Sequence, residues 1–198
     1  MPRQKIRTAV LISGRGSNMI ALAKAAQNPD YPADILLVIS NRPGAPGLEK
    51  ARNSGLATAT IDHTMFNTRC AFEEKLHLTL QGAGIELICC AGFMRILSPW
   101  FVRKWPDRIL NIHPSLLPKY KGLVDTHKRA LEAGDPEHGC TVHYVTDEVD
   151  GGAILAQSRI PVLPDDTAES LADRLIEKEH ALYAAVLSDI AAQTGSGI

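Results

Sequence analysis

Short apolar runs alternate with helix-like spacings of apolar residues through the first two-thirds of the chain. The apolar runs predict five strands, at Arg7–Ile12, Asp34–Ser40, Thr58–Ile61, Leu87–Ala91 and Ile109–Ile112. The stretches between them predict four helices, at roughly Ser17–Gln27, Gly47–Ser54, Arg69–Gly82 and Pro99–Trp105. The alternation favours a parallel sheet wrapped by helices, with ligands bound at the carboxyl ends of its strands.

The pattern changes after residue 135. Two longer strands are predicted at Gly139–Thr146 and Ala153–Val162, paired antiparallel through an Asp-Gly-Gly loop. Asp166, followed three residues later by Glu169, predicts the start of a last helix that continues to about Ala192, before a Gly-Ser-Gly tail that we expect to be mobile. The predicted fold class is α/β: a Rossmann-like, mostly parallel sheet with helices on both faces, and a C-terminal part with an antiparallel strand pair and a long last helix.

Length and composition predict one globular domain over residues 1–198. The chain is 45% hydrophobic and 22% charged, which is ordinary for a globular protein, and its net charge of −1 gives no reason to expect nucleic acid as a partner. No signal peptide or long apolar span is visible, so we expect no membrane association and a reducing cytoplasm as the compartment. The four cysteines (Cys70, Cys89, Cys90 and Cys140) show no zinc-like spacing, and no metal is expected.

The stretch Asn111-Ile-His-Pro-Ser-Leu-Leu-Pro118 carries the strongest chemical signal in the chain. Asn111 ends an apolar run, and Pro114 biases His113 towards an extended conformation, in which residues two apart point to the same side. Asn111 and His113 should therefore project together beyond the end of a strand. Taken alone, a histidine before a proline is more often structural than catalytic, and asparagine is common before loops because it suits turns.

A glycine-rich turn follows the first predicted strand. Gly14, Gly16, Ser17 and Asn18 precede a helical pattern, and the exposed amides of a helix N-terminus attract anions such as phosphate. The motif is neither a complete dinucleotide fingerprint nor a P-loop, so a plain strand-to-helix turn explains it equally well.

A carboxylate is predicted on the inward face of the last helix. Glu179 lies on the stripe marked by Leu171, Leu175, Leu182 and Val186, and a carboxylate that faces a core needs a polar partner. That partner could be a structural amide or arginine, or a bound ligand.

The Asn-x-His-Pro-Ser-Leu-Leu-Pro phrase, with the later Asp150-Gly151-Gly152, resembles the signature of the folate-dependent formyltransferases. The Gly-Ser-Asn turn resembles the phosphate loop of the branch of that family that acts on glycinamide ribonucleotide. Further phrases resemble the same branch and extend the match over nearly the whole chain: Arg69, Ala91–Leu97, Leu117–Gly122, His138–His143 and Glu179–Ala181.

The resemblance implies transfer of a formyl group from 10-formyltetrahydrofolate, as co-substrate, to the amine of glycinamide ribonucleotide. It implies Asn111, His113 and Asp150 as catalytic residues, with Asp150 rather than Asp147 beside His113 and raising the pKa of the imidazole. The implied ribonucleotide-binding residues are Gly16, Ser17, Asn18 and Glu179. The implied folate-binding residues are Arg69, Met94, Arg95, Ile96, Leu97, Asn111, Thr146, Asp147, Glu148, Val149 and Asp150.

The resemblance also implies that the two halves of the domain have different functions. Residues 1–100 would form a Rossmann-like, phosphate-binding half and residues 101–198 a catalytic and folate-binding half. The Leu117–Pro118 bond is expected to be cis, and the two glycines after Asp150 to let the backbone approach the ligand. The protein is expected to be a monomer or a homodimer that binds only these small molecules.

One segment departs from the family pattern. The stretch between Gly122 and His127 is about one residue longer than in relatives, which puts the shape of a lid over the substrate in doubt. His127 and His138 are expected on the surface, and Lys119 and Lys121 in a solvated loop.

Alternatives to formyl transfer are hydrolysis of formyltetrahydrofolate, which would need no phosphate loop, and a folate-binding module without catalysis. Formylation of a charged tRNA would need an additional basic domain.

Overall fold

The computed structural model describes residues 4–194, which form a seven-stranded sheet in the order β3-β2-β1-β4-β5-β6-β7. The strands are β1 (Ile6–Ile12), β2 (Ala33–Ser40), β3 (Ala57–Thr60), β4 (Leu87–Cys90), β5 (Ile109–His113), β6 (Glu137–Tyr144) and β7 (Ile154–Pro161). Strands β1 to β5 pair in parallel, whereas β6 runs antiparallel to both β5 and β7. The predicted α/β class and the C-terminal antiparallel pair are confirmed.

Six helices connect or cover the strands. They are α1 (Ser17–Ala26), α2 (Pro46–Asn53), α3 (Arg69–Gly82), α4 (Pro99–Lys104), α5 (Thr126–Glu132) and α6 (Ala168–Thr194). The four helices predicted in the first half are present within two residues at each end. Helix α5 and a 3-10 turn at His63–Met65 were not predicted, because seven and three residues are too short to show a helical period.

The start of α6 differs from the prediction by one residue. Thr167 Oγ1 accepts a hydrogen bond from the Ser170 amide at 3.1 Å, and Ser170 Oγ accepts one from the Thr167 amide at 3.0 Å. This reciprocal pair is a capping box with Thr167 at the N-cap. The Asp166 carboxylate instead accepts from the Leu163 amide and pairs with Arg174, so its predicted capping role is wrong.

Two apolar layers enclose the sheet. One packs α1, α2 and α6 against it and includes Met19, Leu48, Leu175 and Tyr183; the other packs α3 and α4 against the opposite face and includes Phe101. The Tyr183 hydroxyl is buried and lies 3.1 Å from the carbonyl oxygens of Cys90, the last residue of β4, and of Leu110 in the neighbouring β5. Helix α6 is thereby fixed against the edge of the sheet where polar side chains collect.

Several local features can also be compared with the sequence predictions. The Leu117–Pro118 bond is cis, as expected. Within the described residues the four cysteines are free thiols, and no helix between residues 4 and 194 is long and apolar enough to cross a membrane. The Gly-Ser-Gly tail lies outside the described residues.

Candidate active site

Strand β5, the antiparallel strand β6 and the loop after β6 bring four polar side chains together. Asn111 and His113 lie two residues apart on β5, and the register of β5 with β6 pairs Asn111 with His143. Asp150 enters from the loop between β6 and β7 and adopts a left-handed backbone conformation with φ of 49°. A side chain in this region is uncommon, so the loop holds the aspartate in a conformation that it would seldom adopt alone.

The Asp150 carboxylate lies between two buried imidazoles. One oxygen is 3.3 Å from His113 Nδ1, the other is 3.4 Å from His143 Nε2, and the Gly122 amide donates to the first at 3.0 Å. Burial raises the pKa of Asp150, but the His143 hydrogen bond, the His113 charge and the Gly122 amide together hold it below the usual value. The aspartate is therefore ionised at neutral pH.

Asp147 has a different environment. Its carboxylate pairs with Arg103 at 3.2 Å, and both side chains are more than half exposed. The prediction that Asp150, not Asp147, lies beside His113 is therefore confirmed by the geometry.

The expected rise in the pKa of His113 is wrong. Burial lowers the pKa of His113 below its usual value, and this outweighs the opposing effects of Asp150 and of the Tyr120 carbonyl. His143 adds to the lowering. His113 is consequently neutral at pH 7, with Asp150 placed to stabilise the charged form once a proton arrives.

His143 is a site residue that the sequence did not single out. Its Nδ1 lies 2.9 Å from the Tyr144 carbonyl oxygen, which can only accept a hydrogen bond, so Nδ1 carries a proton. Its Nε2 lies 3.1 Å from Asn111 Nδ2 and 3.4 Å from Asp150 Oδ1, so the ring contacts both side chains. The residue belongs to the quoted phrase His138–His143, but only the β5–β6 register reveals its position opposite Asn111.

The two glycines after Asp150 allow the close packing of the β6–β7 loop. A Cβ atom on Gly152 would lie 1.9 Å from the Tyr144 carbonyl oxygen, and one on Gly151 would lie 2.5 Å from the Glu148 carboxylate. Gly152 therefore lets the loop pack closely against β6, and the approach of the backbone to a ligand stays a prediction.

An apolar cavity of about 390 Å³ opens beside the Asn111–Asp150 network. Ten of the eleven residues predicted to bind folate line it, namely Met94, Arg95, Ile96, Leu97, Asn111, Thr146, Asp147, Glu148, Val149 and Asp150. Arg69 does not; it lies exposed at the start of α3. The lining residues that were not predicted are Cys90, Phe93, Gly122, Leu123, Val124 and Val145.

The cavity leaves apolar groups and a cation without protein partners. Met94, Ile96 and Val124 are 66%, 58% and 69% exposed. Arg95 is half-buried and, within residues 4–194, makes no hydrogen bond or ion pair. An apolar ring system with a hydrogen-bonding edge or an attached carboxylate would suit such a surface.

The residues predicted to bind a ribonucleotide also meet in one place. Gly16 precedes α1 with φ of 70°, and no side chain caps the helix, so its first amides are left for a ligand. Asn18 Nδ2 donates to Glu179 Oε2 at 2.7 Å across the α1–α6 interface, while Asn18 Oδ1 is buried without a partner within residues 4–194. Burial raises the pKa of Glu179, which has Asn18 as the predicted polar partner.

The surface predictions for His127, in α5, and for His138, in β6, are corrected. His138 is buried and His127 half-buried, with ring centroids 4.9 Å apart, and burial next to His127 lowers the pKa of His138 to about 4. Lys119 is not simply solvated, because it pairs with buried Asp135 at 2.5 Å. The segment between Gly122 and His127 lines the cavity at Leu123 and Val124, and its Thr126 begins α5.

Between residues 4 and 194, no three His, Cys, Asp or Glu side chains are grouped so as to hold a metal ion.

Comparison with known proteins gives consistent matches over nearly the whole chain. Residues 6–187 match the family described as formyl transferase. The chain is 46% identical over 179 residues to the phosphoribosylglycinamide formyltransferase of Escherichia coli K12, covering 90% of this chain and 84% of that protein. A solved phosphoribosylglycinamide formyltransferase from Brucella melitensis superposes with a TM-score of 0.92 at 47% identity, over 96% of this chain and 97% of that one.

Larger relatives contain the same region. The chain is 49% identical over 187 residues to the trifunctional purine biosynthetic protein adenosine-3 of Gallus gallus, covering 94% of this chain. It spans only 18% of the length of that protein.

The electrostatics of the site lead to a prediction about His113. Replacing Asp150 with asparagine removes the carboxylate that raises the pKa of His113 but leaves the burial that lowers it. The pKa of His113 should therefore fall further in Asp150→Asn, as measured by NMR titration of the ring protons. Asp147→Asn is the matched control and should leave this titration unchanged; a shift of equal size in the control would contradict the pairing.

Proposed function

Because the chain belongs to the formyl transferase family, we propose that it transfers a formyl group from 10-formyltetrahydrofolate to the amine of glycinamide ribonucleotide. The products are formylglycinamide ribonucleotide and tetrahydrofolate, and the reaction is a step of de novo purine biosynthesis. The observation that carries this proposal is the placement of three features at one edge of the sheet: an anion-binding helix start, an apolar cavity and the Asn111–His113–Asp150 network. The cytoplasm stays the expected compartment, and a monomer or homodimer the expected state.

The ribonucleotide would bind at the start of α1. The free amides around Gly16, Ser17 and Asn18 match a phosphate, because partial positive charge gathers at a helix N-terminus. Glu179 is partly exposed beside Asn18 and would accept hydrogen bonds from the ribose hydroxyls. Both groups lie at the carboxyl edge of the sheet, so the amine of the substrate can extend towards β5.

The folate would occupy the apolar cavity. Its pterin ring would pack against exposed side chains such as Ile96, and Arg95 would meet an electronegative group of the co-substrate. Asn111 and Asp150 line the inner end of the same cavity, so the formyl group would lie beside them. Arg69, at the start of α3, would contact folate only beyond the cavity rim.

Catalysis would start with attack of the amine nitrogen on the formyl carbon. Negative charge gathers on the formyl oxygen of the tetrahedral intermediate, where the Asn111 amide donates a hydrogen bond. His113 is neutral in the resting protein, so it can accept the proton that the amine loses, directly or through water. The imidazolium that results is stabilised by Asp150 and returns the proton to the departing folate nitrogen.

The hydrolase alternative is disfavoured by the phosphate loop. A hydrolase needs only water as acceptor, and the uncapped start of α1 with the Asn18–Glu179 pair would then bind nothing that the reaction requires. A binding module without catalysis would have no use for an ionised aspartate between two buried imidazoles, which is costly to desolvate.

The first prediction separates transfer from hydrolysis. We expect release of tetrahydrofolate from 10-formyltetrahydrofolate to require glycinamide ribonucleotide, because the amine is the acceptor. Absorbance of the folate, followed with and without the ribonucleotide, measures this. Equal release in both reactions would place the protein among the hydrolases.

The second prediction concerns Glu179. Glu179→Gln keeps the shape of the side chain but removes the charge that accepts from ribose hydroxyls, so the KM for glycinamide ribonucleotide should rise about tenfold. The KM for the folate should stay within about twofold, since Glu179 does not line the cavity. Glu177→Gln, an exposed glutamate on the same helix, is the control. An unchanged KM for the ribonucleotide would refute the assignment.

The third prediction compares the two aspartates of the β6–β7 loop. Asp150→Asn should lower kcat by at least about a hundredfold, because the imidazolium loses the charge that stabilises it. The acid limb of the kcat/KM profile should move to lower pH together with the pKa of His113. Asp147→Asn loses only an exposed ion pair and should cost little in kcat. Reversed effects would require a network built around Asp147.

A further inference from the structure

A buried serine joins the two halves of the proposed site. Ser13 follows β1 and is 4% exposed. Its hydroxyl donates to Asn41 Oδ1 at 2.5 Å and accepts from the Met94 amide at 2.7 Å, and its own amide donates to the Gly92 carbonyl at 3.0 Å. One residue thereby makes three hydrogen bonds to two other segments of the chain.

Ser13 lies between the segments that are proposed to bind the two substrates. On its C-terminal side the backbone continues directly into Gly14, Gly16, Ser17 and Asn18, the proposed phosphate loop. Across from it, Gly92 and Met94 begin the segment that lines the apolar cavity. The Met94 amide is a particularly informative partner, because a part-buried N–H without an acceptor is costly.

The far end of the cavity segment is anchored independently. The buried Glu73 carboxylate of α3 accepts from the Ser98 amide at 2.7 Å and from the Ser98 hydroxyl. The segment from Gly92 to Ser98 is thus fixed at both ends, with Met94, Arg95 and Ile96 between. Only the Ser13 end connects to the phosphate loop.

Besides the Asn18–Glu179 hydrogen bond, contacts with α2 hold the backbone of the phosphate loop. The Gly14 carbonyl accepts from the Gly47 amide at 3.0 Å, and the Arg15 carbonyl accepts from Lys50 Nζ at 3.1 Å. A bound phosphate would add hydrogen bonds to the amides after Gly16 and reduce the freedom of the loop. Since Ser13 adjoins the loop, that ordering reaches the Met94 amide through the Ser13 hydroxyl.

We propose that Ser13 is a positioning residue that couples the two substrate sites, so that the ribonucleotide strengthens folate binding through the Ser13–Met94 hydrogen bond. By thermodynamic linkage the folate strengthens ribonucleotide binding by the same factor. The coupling favours a complex that holds both substrates over either binary complex. This inference rests on the proposed function, because it takes the two ligands to be those substrates.

The test measures affinity rather than turnover. Calorimetry gives the Kd for tetrahydrofolate with and without saturating glycinamide ribonucleotide. In the unchanged protein the ribonucleotide should lower this Kd about tenfold. In Ser13→Ala the factor should fall to about one, while Kd for the ribonucleotide alone changes little. Ser13→Cys keeps the volume but is a weak hydrogen-bonding group, so it should show the same loss if the alanine variant folds poorly.

Thr8→Val is the matched control. Thr8 is a buried residue of β1 whose hydroxyl donates only to the Ile6 carbonyl, at 3.3 Å, so the substitution removes a buried hydroxyl from the same strand without touching either site. It should keep the tenfold factor. Retention of the factor in both Ser13 variants, or its loss in Thr8→Val as well, would overturn the proposal.

Failure of the coupling and failure of the proposed function give different results. A protein that releases tetrahydrofolate only with the ribonucleotide, yet shows no difference between the two Kd values, keeps its function and loses the coupling. A protein that shows the tenfold factor without formyl transfer keeps the coupling and loses the function.

Discussion

The arrangement of the site depends on one ionised carboxylate held between two buried imidazoles. Asp150 would be costly to bury alone, and it is retained because His113, His143 and the Gly122 amide all face its oxygens. The contact with Gly122 also draws the loop after the cis proline towards the cavity. The same carboxylate therefore contacts the His113 ring and holds Gly122 at the cavity.

The change from parallel to antiparallel pairing makes this arrangement possible. Parallel strands β1 to β5 place their carboxyl ends at one edge, where the helix start and the cavity lie. Strand β6 then runs back along β5, so that its own last residues lie beside Asn111. The loop from β6 to β7 follows directly after His143 and brings Asp150 into contact with both His143 and His113.

Much of this could be predicted from the sequence, and the failures have physical causes. The strands and the longer helices could be predicted from the periodicity of apolar residues. The motif around His113 could be recognised because it is unusually long. His143 could not be singled out, because its role depends on a cross-strand register that no local pattern encodes. The pKa of His113 was predicted in the wrong direction because a charge partner is visible in a sequence motif, whereas burial is a property of the folded surroundings. The capping residue of α6 was misplaced because Asp166 and Thr167 are both good caps.

Burial and the charge of Asp150 have opposite effects on the pKa of His113. A histidine exposed to water would lie close to its ordinary pKa and gain little from a nearby carboxylate, since solvent screens the pair. A buried histidine without a carboxylate would resist protonation throughout the reaction. His113 is neutral at rest because burial prevails, and its charged form is attainable because Asp150 and the Tyr120 carbonyl lie within 3.3 Å of its two nitrogens. In the proposed reaction, this balance would supply a base at neutral pH and stabilise the imidazolium that returns the proton.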